Sequence, residues 1–284
     1  MSYRIVADSS CDKTSVMNDW NNITFVPLSL EIGDYRILDD ENFNQEDFVE
    51  RMKAFGGTAK TACPAPSAWA DAFDCDEEDI YVVTITDKLS GTYNSALQGK
   101  ALFEEESQKK KNIHVFNSLA TSGLESLVAE KIKEVADSGM PFEEVVNYIE
   151  DFIVNHAVLY FCLDSLDVLK NNGRLFAVAA SVLEKLRVKL IGKAVDGNIS
   201  LAGRDLTVKK ALVKTAGIIR DDVAGIDLSD KRLVISHVCC EDRAILLKSK
   251  IESYVKFGSV EIVKCSGLNT TYASNGGVLV AYTK

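Results

Sequence analysis

No apolar run in this chain is long enough to span a bilayer, which takes about 20 residues. The opening segment Met1-Ser2-Tyr3-Arg4-Ile5-Val6-Ala7-Asp8 also lacks the apolar stretch of a secretory signal. Histidine is scarce, and His114, His156 and His237 are scattered without metal-ligand spacing, so no zinc site is expected. Seven cysteines are present, but none forms a Cys-x-x-Cys pair, and an odd count does not suit a disulfide framework. They read as reduced thiols, and the expected location is the cytoplasm. An excess of positive charge is missing too. The net charge of −10 repels the nucleic-acid backbone and anionic membrane surfaces, so nucleic acid is not an expected partner. There is no Walker pattern, no Gly-x-Ser-x-Gly elbow, no internal repeat and no low-complexity segment.

What is present suits an ordinary globular protein. With 284 residues, 46% hydrophobic and 26% charged, the chain can bury a sizeable core and divide into two domains. Residues 4–7 predict a first strand, followed by the polar loop Asp8-Ser9-Ser10-Cys11-Asp12. Residues 23–32 read as one extended stretch interrupted by Pro27. Ile80-Tyr81-Val82-Val83-Thr84-Ile85-Thr86 is apolar and β-branched, the pattern of a strand buried on both faces. Another strand is predicted over 113–116, and helices over 44–55, 67–73, 93–109, 123–138 and 141–155. Such alternation argues for a parallel sheet with helices on both faces.

After about residue 157 the rhythm changes. Strands are predicted over 158–163, 189–195, 199–203, 232–237, 260–264 and 278–283. Helices are predicted over 166–170, 178–186, 207–221 and 243–257. Asp196-Gly197-Asn198 is a hairpin signal. The expected fold class is α/β: an N-terminal parallel sheet flanked by helices (1–157), then a C-terminal α+β domain with a partly antiparallel sheet (158–284).

The strand over 80–86 runs into Asp87-Lys88-Leu89-Ser90-Gly91-Thr92-Tyr93-Asn94-Ser95-Ala96, a small-residue turn leading into a helix. Strand, loop and helix start together point free backbone N–H groups at an anion, a phosphate or a carboxylate. Ser90 and Thr92 add hydroxyl donors. Read alone, the plainer account is that Ser90 or Thr92 caps the helix.

Several segments together resemble one family. These are Val6-Ala7-Asp8-Ser9-Ser10, Val26-Pro27-Leu28-Ser29-Leu30, Lys60-Thr61-Ala62-Cys63-Pro64-Ala65-Pro66, Leu89-Ser90-Gly91-Thr92-Tyr93 and Leu166-Asp167-Val168-Leu169-Lys170-Asn171-Asn172-Gly173-Arg174. Their order and spacing, over nearly the whole chain, are similar to the DegV family of bacterial fatty-acid-binding proteins of the FakB type. The resemblance implies a two-domain protein with a long-chain fatty acid buried between its domains and no other cofactor. It implies no catalysis of its own, and presentation of the carboxylate to a separate fatty-acid kinase that makes the acyl phosphate. It is also compatible with transient membrane contact. On matching positions, Thr61 and Ser90 would hold the carboxylate, helped by the backbone around Gly91 and Thr92. Arg174, Arg204 and Tyr272 fall at positions expected at the pocket mouth or on a partner surface.

The chain departs from the family pattern at Ala62, where a serine is common, and at Asn172, where the family has a glycine. Leu206 stands where a basic residue is expected, and Tyr272-Ala273-Ser274-Asn275-Gly276 where a His-x-Gly-x-Gly segment is expected. These last two bear on docking to a kinase. Two other classes of function stay open on the residues alone. One is an enzyme, a phosphotransferase or hydrolase, with a phosphate site at Ser90-Gly91 and Asp8 as acid or metal ligand. The other is a lipid-responsive regulatory protein with a different partner. Cys63 has no histidine near it in sequence and reads as a small packed cysteine rather than a nucleophile. His114 and His237 read as core or strand-end residues.

Overall fold

The computed structural model describes residues 2–175 and 189–284; the helix expected over 178–186 lies outside the described residues. The first sheet is parallel, in the order β2-β1-β6-β7, with β1 at Tyr3–Asp8, β2 at Ile23–Val26, β6 at Asp79–Thr84 and β7 at Asn112–Asn117. All six residues of β6 are buried, as its apolar run predicts. Helices α2 (Pro66–Phe73) and α3 (Thr92–Glu106) lie in its crossovers, and α4 (Gly123–Asp137) and α5 (Phe142–Asn155) link β7 to the second sheet.

The second sheet has six strands in the order β10-β9-β8-β13-β11-β12. They are β8 (Ala157–Leu163), β9 (Lys189–Val195), β10 (Asn198–Asp205), β11 (Arg232–His237), β12 (Ser259–Lys264) and β13 (Val278–Thr283). Only the β11–β12 pair is parallel, so the sheet is largely antiparallel. Asp196 and Gly197, both at positive φ, form the tight β9–β10 turn that the sequence predicts. Helix α7 (Val208–Asp222), with Thr207 accepting the Lys210 N–H as its N-cap, and α8 (Glu241–Glu252) cover one face. Helix α4 packs against strands of both sheets, which explains why its first turns are buried all round.

A third sheet departs from the predicted elements. Residues 23–32 are not one extended stretch: Pro27 separates β2 from β3 (Ser29–Ile32), and the two join different sheets. Strand β3 is central in a small antiparallel sheet between β4 (Tyr35–Leu38) and β5 (Lys60–Ala62). Helix α1 (Gln45–Phe55) packs on β3; Asn44 caps it by accepting the Asp47 N–H, and Gly56 ends it at φ +64°. Two short helices, α6 (Asp167–Asn171) and α9 (Gly267–Ala273), complete the described elements around the cavity. The sequence predicts α6 within a residue but not α9. Helix α8 starts and ends earlier than the predicted 243–257, and α3 ends short of 109.

Candidate functional site

A cavity of about 280 Å³ opens where the three sheets meet. Its apolar wall is one face of the second sheet, with Leu159, Phe161 and Leu163 from β8, Ile199 from β10 and Leu279 from β13. Most of its polar lining comes from other elements, among them Thr61, Ser90, Gly91, Thr121, Arg174, Asn269 and Tyr272.

Thr61 is the middle residue of β5, paired with Leu30 of β3. Two prolines then end the strand, and Pro66 opens α2, where its missing N–H costs nothing. The Thr61 and Tyr272 hydroxyls lie 3.1 Å apart, so β5 and α9 share a polar contact at the cavity wall.

Ser90 sits on a loop built around Thr86, which lies beyond the end of β6 rather than within it. The Thr86 carbonyl accepts the N–H groups of Leu89 and Ser90, each at 3.2 Å. Its own N–H donates to the Ala120 carbonyl at 2.8 Å, and its hydroxyl donates to the Gly197 carbonyl at 3.1 Å. The loop is thereby tied to the β9–β10 turn. Gly91, not Ser90 or Thr92, is the N-cap position of α3. The Ser90 Oγ accepts the Thr92 N–H at 3.3 Å and lies 2.8 Å from Thr92 Oγ1. Thr92 is fully buried and off the cavity wall. Its hydroxyl meets Ser90 from the side away from the cavity lining.

Cys63 is exposed on the cavity rim, and a Cβ built on Gly91 would lie 3.5 Å from its sulfur, so the two loops touch. Arg174 also lines the cavity. Its Nε donates to the Leu89 carbonyl at 3.2 Å, and Nη1 donates to the Asn172 carbonyl. Asn172, where the family has a glycine, takes φ −90°, and Gly173 takes the left-handed conformation at φ +70°. The Asn172 amide instead donates to the Ala59 carbonyl at 3.1 Å, just before β5. The segment after α6 thus bridges the Thr61 strand and the Ser90 loop. Arg204 is exposed on β10 and off the cavity wall, and Leu206 is 69% exposed.

Under the cavity lies a buried acidic network that the sequence did not reveal. Asp8 accepts the Ser10 N–H and the Ile85 N–H, each at 2.8 Å, and so anchors the base of the Ser90 loop. The Ser10 hydroxyl contacts both Asp8 Oδ1 and Glu125 Oε1, yet it owns one hydrogen. One of the two carboxyl groups must therefore carry a proton. Burial pushes Glu125 well above the ordinary carboxylate range, with the Asp8 charge adding to it, and burial pushes Asp8 up to about 6. We assign the proton to Glu125. Asp12 accepts the Ser266 N–H at 2.7 Å and the Asn269 amide at 2.8 Å, while Asn269 Oδ1 accepts the Thr121 hydroxyl at 2.8 Å. Among the described residues no group of His, Cys, Asp and Glu could hold a metal ion, and the oxygens of Asp8 are occupied by protein donors. His114 pairs with Glu150 at 2.9 Å, and His237 is buried at the end of β11.

Comparison with known proteins agrees with this architecture. A profile of the DegV family, described as uncharacterised proteins, matches residues 2–284. A DegV domain-containing protein of Streptococcus pneumoniae is 32% identical over 289 residues, covering 99% of each chain. Among solved structures, a DegV-family protein from Ruminococcus gnavus, refined with vaccenic acid, is 38% identical with a TM-score of 0.93, covering 99% of both chains. The Fatty Acid Kinase (Fak) B3 protein of Streptococcus pneumoniae, loaded with linoleic acid, is 32% identical with a TM-score of 0.87, covering 100% of this chain and 99% of that one. The chain belongs to the DegV family.

Proposed function

We propose that this DegV-family chain encloses a long-chain fatty acid in the cavity and presents its carboxylate to a separate fatty-acid kinase, with no catalysis of its own. The observation that carries this reading is the cavity's division into an apolar sheet face and a cluster of hydroxyls, amides and one guanidinium. A buried carboxylate is costly unless several donors meet it. Thr61 and Ser90 would supply hydroxyls, the backbone around Gly91 would supply N–H groups, and Arg174 and Tyr272 would border the headgroup. The acyl chain would supply most of the affinity, at about 0.8 kcal/mol per buried CH₂. The fatty acids in the R. gnavus and S. pneumoniae structures support the ligand class.

We infer as well that residues 1–157 and 158–284 act as two units with the ligand between them, since both contribute lining residues. The expected setting is the cytoplasm; no helix among the described residues is long and apolar enough to cross a membrane. Native mass spectrometry of the freshly purified protein, followed by lipid extraction, tests the ligand class. A co-purified fatty acid supports it; an empty protein that takes up no added fatty acid overturns it. Kinase presentation is tested by adding a fatty-acid kinase and ATP to the loaded protein and trapping acyl phosphate with hydroxylamine.

A further inference from the structure

The apolar wall contains one contact whose geometry goes beyond ligand class. Phe161 on β8 and Gly192 on β9 are register partners in the antiparallel ladder. A Cβ built on Gly192 would lie 2.0 Å from Cζ of the Phe161 ring, with two further ring atoms at 2.3 and 2.7 Å. The tip of the ring therefore lies over the glycine, in space that the Cβ of any other residue would fill. Gly192 is not at positive φ, so the backbone does not demand glycine there. The ring does. Phe161 is also a cavity-lining residue beside Leu159 and Leu163, so the position of its ring sets how much cavity is left for a ligand.

We propose that Gly192 is a specificity-determining residue: by giving the Phe161 ring a recess in the sheet, it sets the length of acyl chain the cavity accepts. This rests on the fatty-acid reading of the same cavity. The ring cannot stay beside a Cβ at 2.0 Å, and on its other side the register partner of Phe161 is Leu279 of β13, which lines the same cavity. It must turn toward the cavity and take up room that methylene groups would use.

The test measures affinity for a saturated fatty-acid series from lauric to stearic acid, by displacement of a fluorescent fatty acid, in the wild type and three variants. Gly192→Ala should move the optimum to a shorter chain by at least about two carbons, with roughly a fourfold loss for each methylene excluded. Phe161→Leu should move it toward longer chains. The double variant Gly192→Ala/Phe161→Leu should recover at least the wild-type range, because the clashing ring is gone. If Gly192→Ala does not fold, the Phe161→Leu profile decides alone. An unchanged length profile in Gly192→Ala or Phe161→Leu, with the wild type binding normally, overturns the recess. A wild type that binds no member of the series overturns the fatty-acid reading itself.

Discussion

Tyr272 holds its hydroxyl 3.1 Å from that of Thr61, across 211 positions of sequence. The contact ties α9 to β5 at the cavity wall and leaves two hydroxyls facing one space. A carboxylate placed there would accept from one while the other keeps its partner.

Removal of these hydroxyls should weaken ligand binding in a graded way. On the proposed assignment Ser90→Ala and Thr61→Val each lose a donor to a charged group and should raise the Kd for a long-chain fatty acid about tenfold or more. Tyr272→Phe removes the neighbour rather than the assigned donor and should cost only about threefold. Isothermal titration with delipidated protein checks the order; equal and negligible effects at Ser90 and Thr61 would refute the assignment.

Arg174 should act on the Ser90 loop as much as on the ligand. It reaches the Leu89 carbonyl, and Arg174→Ala leaves that acceptor without this donor. Faster hydrogen exchange at residues 86–91 and faster fatty-acid dissociation are expected in the variant, with little change in the melting temperature. Arg174→Gln, which keeps a donor but shortens the reach, should fall between.

Stability should rise on mild acidification, the reverse of the usual trend. Burial raises Asp8 from 3.8 to about 6 and Asp39 from 3.8 to about 7, so between these values the folded chain binds more protons than the unfolded chain. Unfolding free energy then increases as the pH falls through that window, by on the order of a few kcal/mol. Carboxylates held low by ion pairs, such as Asp164 beside Arg243 and Lys189, lose their contribution only at lower pH. Thermal melts should therefore show a maximum near about pH 5. In Asp39→Asn the slope between pH 5 and 8 should be shallower, because one of the titrating groups is gone.

Gly99 should tolerate no side chain. A Cβ there would lie 2.4 Å from the Cβ of Trp69 and 2.6 Å from the Pro66 carbonyl oxygen, where α3 crosses α2. Gly99→Ala should destabilise the protein by about 1–3 kcal/mol, measured by urea unfolding, despite the better helix propensity of alanine.

The parts of the fold that depend on local pattern were legible in the sequence. The buried run at 80–84, the helices that begin at Asn44 and Thr207 to within a residue, and the Asp196-Gly197 turn all follow from residue type and spacing. What escaped was non-local. Strand β5 has three residues and exists because β3 offers it an edge, which no periodicity in 60–62 announces. Helix α9 is buried on nearly every side and so lacks an amphipathic signature. At the site, the loop sequence pointed to Ser90 and the family likeness to Thr61, but neither could show that Thr92 faces Ser90 from behind. Thr86 gave no signal beyond ending an apolar run, yet its carbonyl shapes the loop and its hydroxyl joins it to the hairpin.

The central pair of the six-stranded sheet, β8 and β13, has consequences for the order of events in the cell. Leu159 and Leu279 face the same cavity but are added to the growing chain far apart in time. Until β13 has left the ribosome the apolar wall lacks its Leu279 edge, and β8 lacks one of its two neighbours. Such distant pairing is also slow to form. On the proposed reading, a ligand that contacts both strands would favour chains in which β13 has already paired with β8, by mass action.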